Sequence, residues 1–397
     1  MLEPTIDPRD IETWAGFLVD HSLGGIGPAD RVMIKGERIC WPLMAQLERR
    51  IVEAGGVPDV YLVAPNNERG RVWSATMGSC GSTQQWDRVP EWHRLRYESM
   101  TKYIEVLGAE DPTCYSSLAA ERSQALATAD RPFATIRLAK PWVLTLYPTP
   151  GYAAMEGIDL DEYTRFIVKA STTDPRLLKT AEERLLPHFQ QARRVTIETE
   201  HPREGRLLRL SMSVEPSLVT MSYGLRNFPD GELFTSPDAN SPEGEIFLDL
   251  PIHYGGHEIR GIFLELLRGR IVRYSAEVGD AQLATIIETD EGSHRLGEVA
   301  LGMNPGLDRV LKHPLFVEKV GGTLHIAIGA SYDTCFVEDA ASAAGRQRLA
   351  QLEERGILNR SAQHVDVVAD FRPGGCGRRV LFDETPLLSR DGIWVVP

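Results

Sequence analysis

The chain lacks the features that would place it in a membrane, on nucleic acid or in an oxidising compartment. No run approaches the ~20 apolar residues of a membrane helix, and Met1-Leu2-Glu3-Pro4-Thr5-Ile6-Asp7 is acidic without the apolar stretch of a secretory leader. Cytoplasmic residence is the expectation. Cysteine is scarce and unpatterned: Cys40, Cys80, Cys114, Cys335 and Cys376 are odd in number and scattered, with no C-x-x-C pair. Neither a disulfide framework nor a zinc knuckle follows, so the five read as buried free thiols. Net positive charge is absent too. A formal charge of −13 repels both nucleic acid and anionic lipid, which excludes them as main partners. Also missing are a P-loop, a G-x-S-x-G elbow and H-E-x-x-H, and Gly24-Gly25-Ile26-Gly27 follows no strand and is no dinucleotide fingerprint.

With 397 residues, 42% of them hydrophobic and 25% charged, the chain has the makings of two soluble globular domains. Asp30 to Gly36 reads as a strand. An amphipathic helix follows from about Pro42 to Ala54, ended by Gly55-Gly56, and Val57 to Val63 restarts a strand. This strand-helix-strand opening predicts an α/β domain with a parallel-type sheet over residues 1–193, closed by helices at Leu160–Ala170 and Pro175–Arg193. From Arg194 the pattern alternates. Strands at 195–199, 207–213, 245–252, 258–267 and 270–277, with a helix near 281–290, predict an α+β domain of largely antiparallel strands over residues 194–397. The Ala-, Gln-, Glu- and Arg-rich stretch Glu338–Glu354 reads as an exposed helix, a lid or surface insertion.

The C-terminal half carries a sparse set of acids and histidines in short, unusual contexts: Asn227-Phe228-Pro229-Asp230-Gly231-Glu232, Leu296-Gly297-Glu298, Glu318-Lys319-Val320-Gly321-Gly322-Thr323-Leu324-His325 and His364-Val365-Asp366. If 323–329 is a strand, Leu324, Ile326 and Ile328 share one face and His325 shares the other with Ala327 and Gly329. His325 then stands among small residues with room for a metal, or is a satisfied structural histidine. The same alternation puts His364 and Asp366 side by side. Glu298 precedes the apolar Val299-Ala300-Leu301, where a carboxylate needs a metal or a partner such as Arg295; Glu232 follows a Pro-Asp-Gly turn and is a ligand or a solvated turn residue. Carboxylates with two imidazoles suit a pair of hard-to-borderline divalent cations better than a structural zinc, and the reading is a metal-dependent hydrolase. His253-Tyr254-Gly255-Gly256-His257 has zincin-like spacing, but its glycines make it a turn. The sequon Asn359-Arg360-Ser361 carries no meaning in a cytoplasmic protein.

In their order and context these four motifs, together with Pro141–Thr149 and Gly157–Tyr163, resemble the metallo-aminopeptidases that include aminopeptidases T and S. The resemblance implies that Glu232, Glu298, His325, His364 and Asp366 bind two divalent ions (Zn, Co or Mn), with Glu298 as the bridge. It implies Glu318 as a further ligand or the general base, and Tyr332 as the group that hydrogen-bonds the reacting carbonyl or oxyanion. It also implies a homodimer acting on a peptide or small amide substrate and releasing N-terminal residues through a dinuclear metal-activated water. A rival stands beside it. His325, His364 and Asp366 alone make a two-histidine, one-carboxylate triad, the site of a mononuclear Fe(II) ring-cleaving dioxygenase on the same scaffold. Glu232 and Glu298 have no task in that reading.

Overall fold

The computed structural model describes residues 3–64, 75–114, 118, 120–255 and 257–397. Two compact units divide the chain: residues 1–175 with 224–229, and residues 176–223 with 230–397.

The first unit is built on a five-stranded sheet ordered Val57–Leu62, Arg31–Gly36, Lys102–Leu107, Trp142–Leu146, Asn227–Phe228, and every neighbouring pair is parallel. The opening strand-helix-strand unit is present, its helix running Trp41–Glu53 with Leu43, Met44, Leu47 and Ile51 buried at helical spacing. Its end shows why two glycines follow. Gly55 is left-handed at φ +86°, so that its amide reaches Val52 O and that of Gly56 reaches Ile51 O, the paired bonds of a Schellman cap.

The second unit has two antiparallel sheets around one apolar core. The larger holds nine strands and includes Arg194–Glu200, Leu207–Ser213, Glu243–Leu248 and His257–Leu267. The smaller holds five, ordered His364–Asp370, Thr323–Gly329, Leu296–Gly302, Glu232–Thr235, Thr220–Ser222. Its core-facing side chains, Leu233, Val299, Leu301, Leu324, Ile326, Ile328, Val365 and Val367, are all buried in the common core. At about 25 cal/mol per Å² of apolar surface, that burial is the main force fixing the sheet's register, since a one-residue slip would turn the whole set outward. The fold class read from the sequence is the one observed.

Some details differ. The helix Pro175–Gln191, placed by its sequence at the end of the first domain, sends Leu185 and Phe189 into the core of the second unit. The cysteines are not uniformly buried: Cys40 and Cys335 are, Cys80 is exposed and Cys114 and Cys376 lie between. The His253–His257 segment is a hairpin turn, Tyr254 pairing with His257, with Gly256 outside the described residues. The helix expected to be exposed over Glu338–Glu354 is shorter, Ala343–Glu354, and buries Gly345, Leu349 and Leu352. An i, i+4, i+7 stripe hidden in a polar composition gives it one apolar face, which packs with Cys335, Phe336, Ile357 and Leu358. It is thus an integral element. Leu352→Ala should destabilise the protein by about 2–5 kcal/mol in denaturant unfolding; a loss under about 0.5 kcal/mol would make the helix a surface appendage. No helix among the described residues is long and apolar enough to cross a membrane.

Candidate metal centre

The five-stranded sheet of the second unit turns its other face into the site. Register pairs Gly302 with Glu232, Ala300 with His325 and with Phe234, and Glu298 with Ala327. On the far side Ala327 pairs with Asp366 and Gly329 with His364. Directly paired residues share a face, so Glu232, Glu298, His325, His364 and Asp366 all stand on one surface. Its floor is small: Ala300, Gly302, Ala327 and Gly329. A bulge between Leu296 and Glu298 restores the alternation that places Glu298 on this side.

Glu298 is at the centre. It is 3% exposed, with Oε1 3.2 Å from His325 Nε2 and Oε2 3.3 Å from His364 Nε2. Arg295, the salt-bridge partner its sequence suggested, instead donates to Ala239 O and Asn240 Oδ1. Glu232 Oε2 lies 3.5 Å from His325 Nε2, and Asp366 Oδ1 lies 3.6 Å from His364 Nε2. His364 Nδ1 donates to Ala330 O at 2.8 Å, which leaves Nε2 to face the carboxylates. Three groups of donors lie within 4.8 Å of one another: Glu232 with Glu298 and His325, Glu298 with His364 and Asp366, and Glu318 with His325 and Asp366. Tyr332 is 45% exposed, its ring 4.4 Å from that of His364 and 5.9 Å from that of Phe234.

Sequence reasoning passed over three residues here. Lys319 is wholly buried, its Nζ 2.8 Å from Glu318 Oε1, 2.9 Å from Glu232 Oε1 and 3.3 Å from Asp230 Oδ1. Asp230 is buried and also accepts from Ser222 Oγ at 2.9 Å. Both belong to the quoted motifs, beside the acids that drew attention. Gly231 makes their turn possible: at φ +135°, a Cβ there would sit 2.7 Å from that of Asn304, whose amide holds Asp230 O. The third residue, Glu182, is remote in sequence, on Pro175–Gln191. Burial first, then the charges of Asp230 and Glu232, push its carboxyl up to about 10. It is a neutral acid at pH 7, and no local pattern marks it.

The electrostatics are those of an excess of acid. Burial alone would raise Glu298, but the hydrogen bonds from His325 and His364 prevail and hold it down at about 2. Burial would lower the imidazoles, yet Glu298 and Asp366 bring His325 up to about 9 and His364 up to about 10. Burial raises Glu232 to about 7, against Lys319. Asp366 is raised well above the carboxylate range by burial and by Glu318, which itself is lowered by Lys319 and His325 against its burial. The carboxylates of Asp230, Glu232, Glu298, Glu318 and Asp366 crowd together here, and the ammonium of Lys319 is the one permanent cation among the groups described.

Residues 214–372 match the thermophilic metalloprotease (M29) family. Aminopeptidase AmpS of Bacillus subtilis is 36% identical over 146 residues, 36% of this chain and 34% of that protein. Aminopeptidase T of Thermus thermophilus is 36% identical over 177 residues, 43% of this chain and 40% of its own length. The matched stretches thus span about a third to two fifths of these relatives. The solved structure of AmpT from Thermus thermophilus superposes with a TM-score of 0.74 at 21% identity, covering 98% of this chain and 99% of that one. A 2,5-dihydroxypyridine dioxygenase from Pseudomonas putida KT2440 shares the fold more distantly, with a TM-score of 0.55 at 11% identity over 99% of both chains. All seven residues singled out in the sequence lie within residues 214–372, the part of the chain that matches the thermophilic metalloprotease (M29) family.

Proposed function

We propose that the protein is a metal-dependent aminopeptidase that holds two divalent ions and removes residues from the N-terminus of peptides. The carrying observation is Glu298, whose two oxygens face two different imidazoles, the arrangement of a carboxylate that bridges two cations. The donor set fits such a pair. Five carboxylates against one ammonium leave four negative charges once the imidazoles are neutral, which two divalent ions match and one does not. Asp366 Oδ1 is buried, 3.6 Å from His364 Nε2 and without a hydrogen-bond partner among the described residues, so it has lone pairs to offer a cation. None of the three donor groups joins both histidines to Asp366, which counts against the mononuclear iron triad.

Bound there, two such ions supply Lewis acidity that activates water and polarises a carbonyl. The rest falls to the chain. Glu318, held ionised at pH 7 by Lys319 and His325, can accept a proton and return it to the departing amine. Tyr332 is pushed well above the ordinary tyrosine range by desolvation and then by Glu298, Asp366, Glu318 and Glu232, so it remains a donor at pH 7. Its hydroxyl is suited to the oxygen of the reacting carbonyl. A surplus of carboxylates at the site also suits the free amine of a peptide's first residue, which would limit cleavage to one residue at a time. Relatives named aminopeptidase support the same substrate class.

A pH dependence follows. Imidazoles raised to about 9 and about 10 are protonated at pH 7 and must lose those protons to become ligands. Cation affinity should therefore rise with pH from 6 towards 9, and loading at pH 7 should release at least two protons, one per imidazole, with more from Asp366 and Glu232, whose carboxyls are raised as well. Calorimetry in buffers of different ionisation enthalpy measures this. Loading without proton release would remove the histidines from the ligand set.

A further inference from the structure

Lys319 distinguishes the two halves of the site. Its ammonium lies 2.9 Å from Glu232 Oε1 and 2.8 Å from Glu318 Oε1, so one oxygen of each carboxylate is already engaged by a positive charge. Asp230 Oδ1, at 3.3 Å, fixes the ammonium from behind. The side chain is wholly buried. The donor group of Glu298, His364 and Asp366 contains none of the three carboxylates that Lys319 contacts, whereas the other two groups each use one of them. A cation entering beside Glu232 or Glu318 meets half-neutralised ligands and a fixed like charge. One entering between Glu298, His364 and Asp366 does not.

On the dinuclear reading above, we propose that Lys319 makes the two metal positions unequal: the position built on Glu232 binds its ion more weakly than the position built on Glu298, His364 and Asp366. Lys319 is a positioning residue in this account. It limits Glu232 to one free oxygen, Oε2, which is the oxygen that faces His325, and it lowers the negative charge felt at that position only. The outcome is one tightly held ion and one that exchanges with the surrounding pool.

The test is a titration of the stripped full-length protein with Co(II), read by visible absorption and by competition with a chelator, for the wild type, Lys319→Met and Asp230→Asn. Wild type should bind in two steps separated by at least about tenfold, 1.4 kcal/mol. Lys319→Met removes the competing charge, so the weaker step should tighten about tenfold or more while the tighter step stays. Asp230→Asn keeps the ammonium but removes its rear anchor, leaving more of its charge to Glu232 and Glu318, and the weaker step should loosen further. A merely structural lysine would leave the separation unchanged in both variants. Equal steps in the wild type, or an unchanged separation in a folded variant, overturn the inference. Binding of one equivalent in all three proteins instead overturns the dinuclear reading on which it rests. If Lys319→Met fails to fold, the direction of change in Asp230→Asn decides the matter alone.

Discussion

Glu298→Ala should lose at least one metal equivalent and on the order of a thousandfold or more in turnover. Each oxygen of this carboxylate serves a different imidazole, so its removal opens both halves of the site together. With two divalent ions bound, this carboxylate would serve as a ligand to each. Losing the several kcal/mol that such a pair supplies, at 1.36 kcal/mol per decade, amounts to roughly three decades. Metal analysis and initial rates on a leucyl amide measure the two effects independently. A variant with a full metal complement and wild-type rates would mean that Glu298 only orients His325 and His364.

Tyr332→Phe should behave differently, losing about a hundredfold or more in turnover, the usual effect of removing one donor to a developing oxyanion, with metal content unchanged. The ring would remain in place, because its packing is against Phe234 and His364, and only the hydroxyl is lost. Loss of metal from the variant would reassign Tyr332 as a ligand or a structural prop. An unchanged rate would remove it from the chemistry.

The site was legible in the sequence wherever a short-range rule applied. Alternation placed His325 opposite Leu324 and Ile326, and His364 beside Asp366, because a strand buried on one side permits no other register. What could not be read there is long-range. That Glu298 faces both imidazoles depends on a bulge and on three strands being neighbours, and Glu182 reaches the site from a helix more than forty residues before Glu232 in the chain. Lys319 was in view within its motif, but a lysine beside a glutamate reads as a solvated pair; only burial shows its three carboxylate partners. Other misses had a local signal. Asp391-Gly392, both at positive φ, make the two-residue turn between Thr385–Arg390 and Ile393–Val395, and Asp-Gly is a strong hairpin marker. That hairpin matters for the site, since Trp394 Nε1 donates to Gly302 O at the end of the Glu298 strand. The expectation of an exposed helix over Glu338–Glu354 rests on polar composition, whereas the three residues that bury one face of the observed helix Ala343–Glu354 are set by spacing.

The central claim is that this donor set holds two ions that hydrolyse an N-terminal amide. Its most direct test is to strip the protein, add back Co(II), Zn(II) or Mn(II) stepwise, and count tightly bound equivalents while following release of leucine from a leucyl amide. The account predicts two equivalents per chain, with activity returning as the second is filled. A single equivalent, preferentially iron, with no hydrolysis at any loading would contradict it and point to the triad of His325, His364 and Asp366.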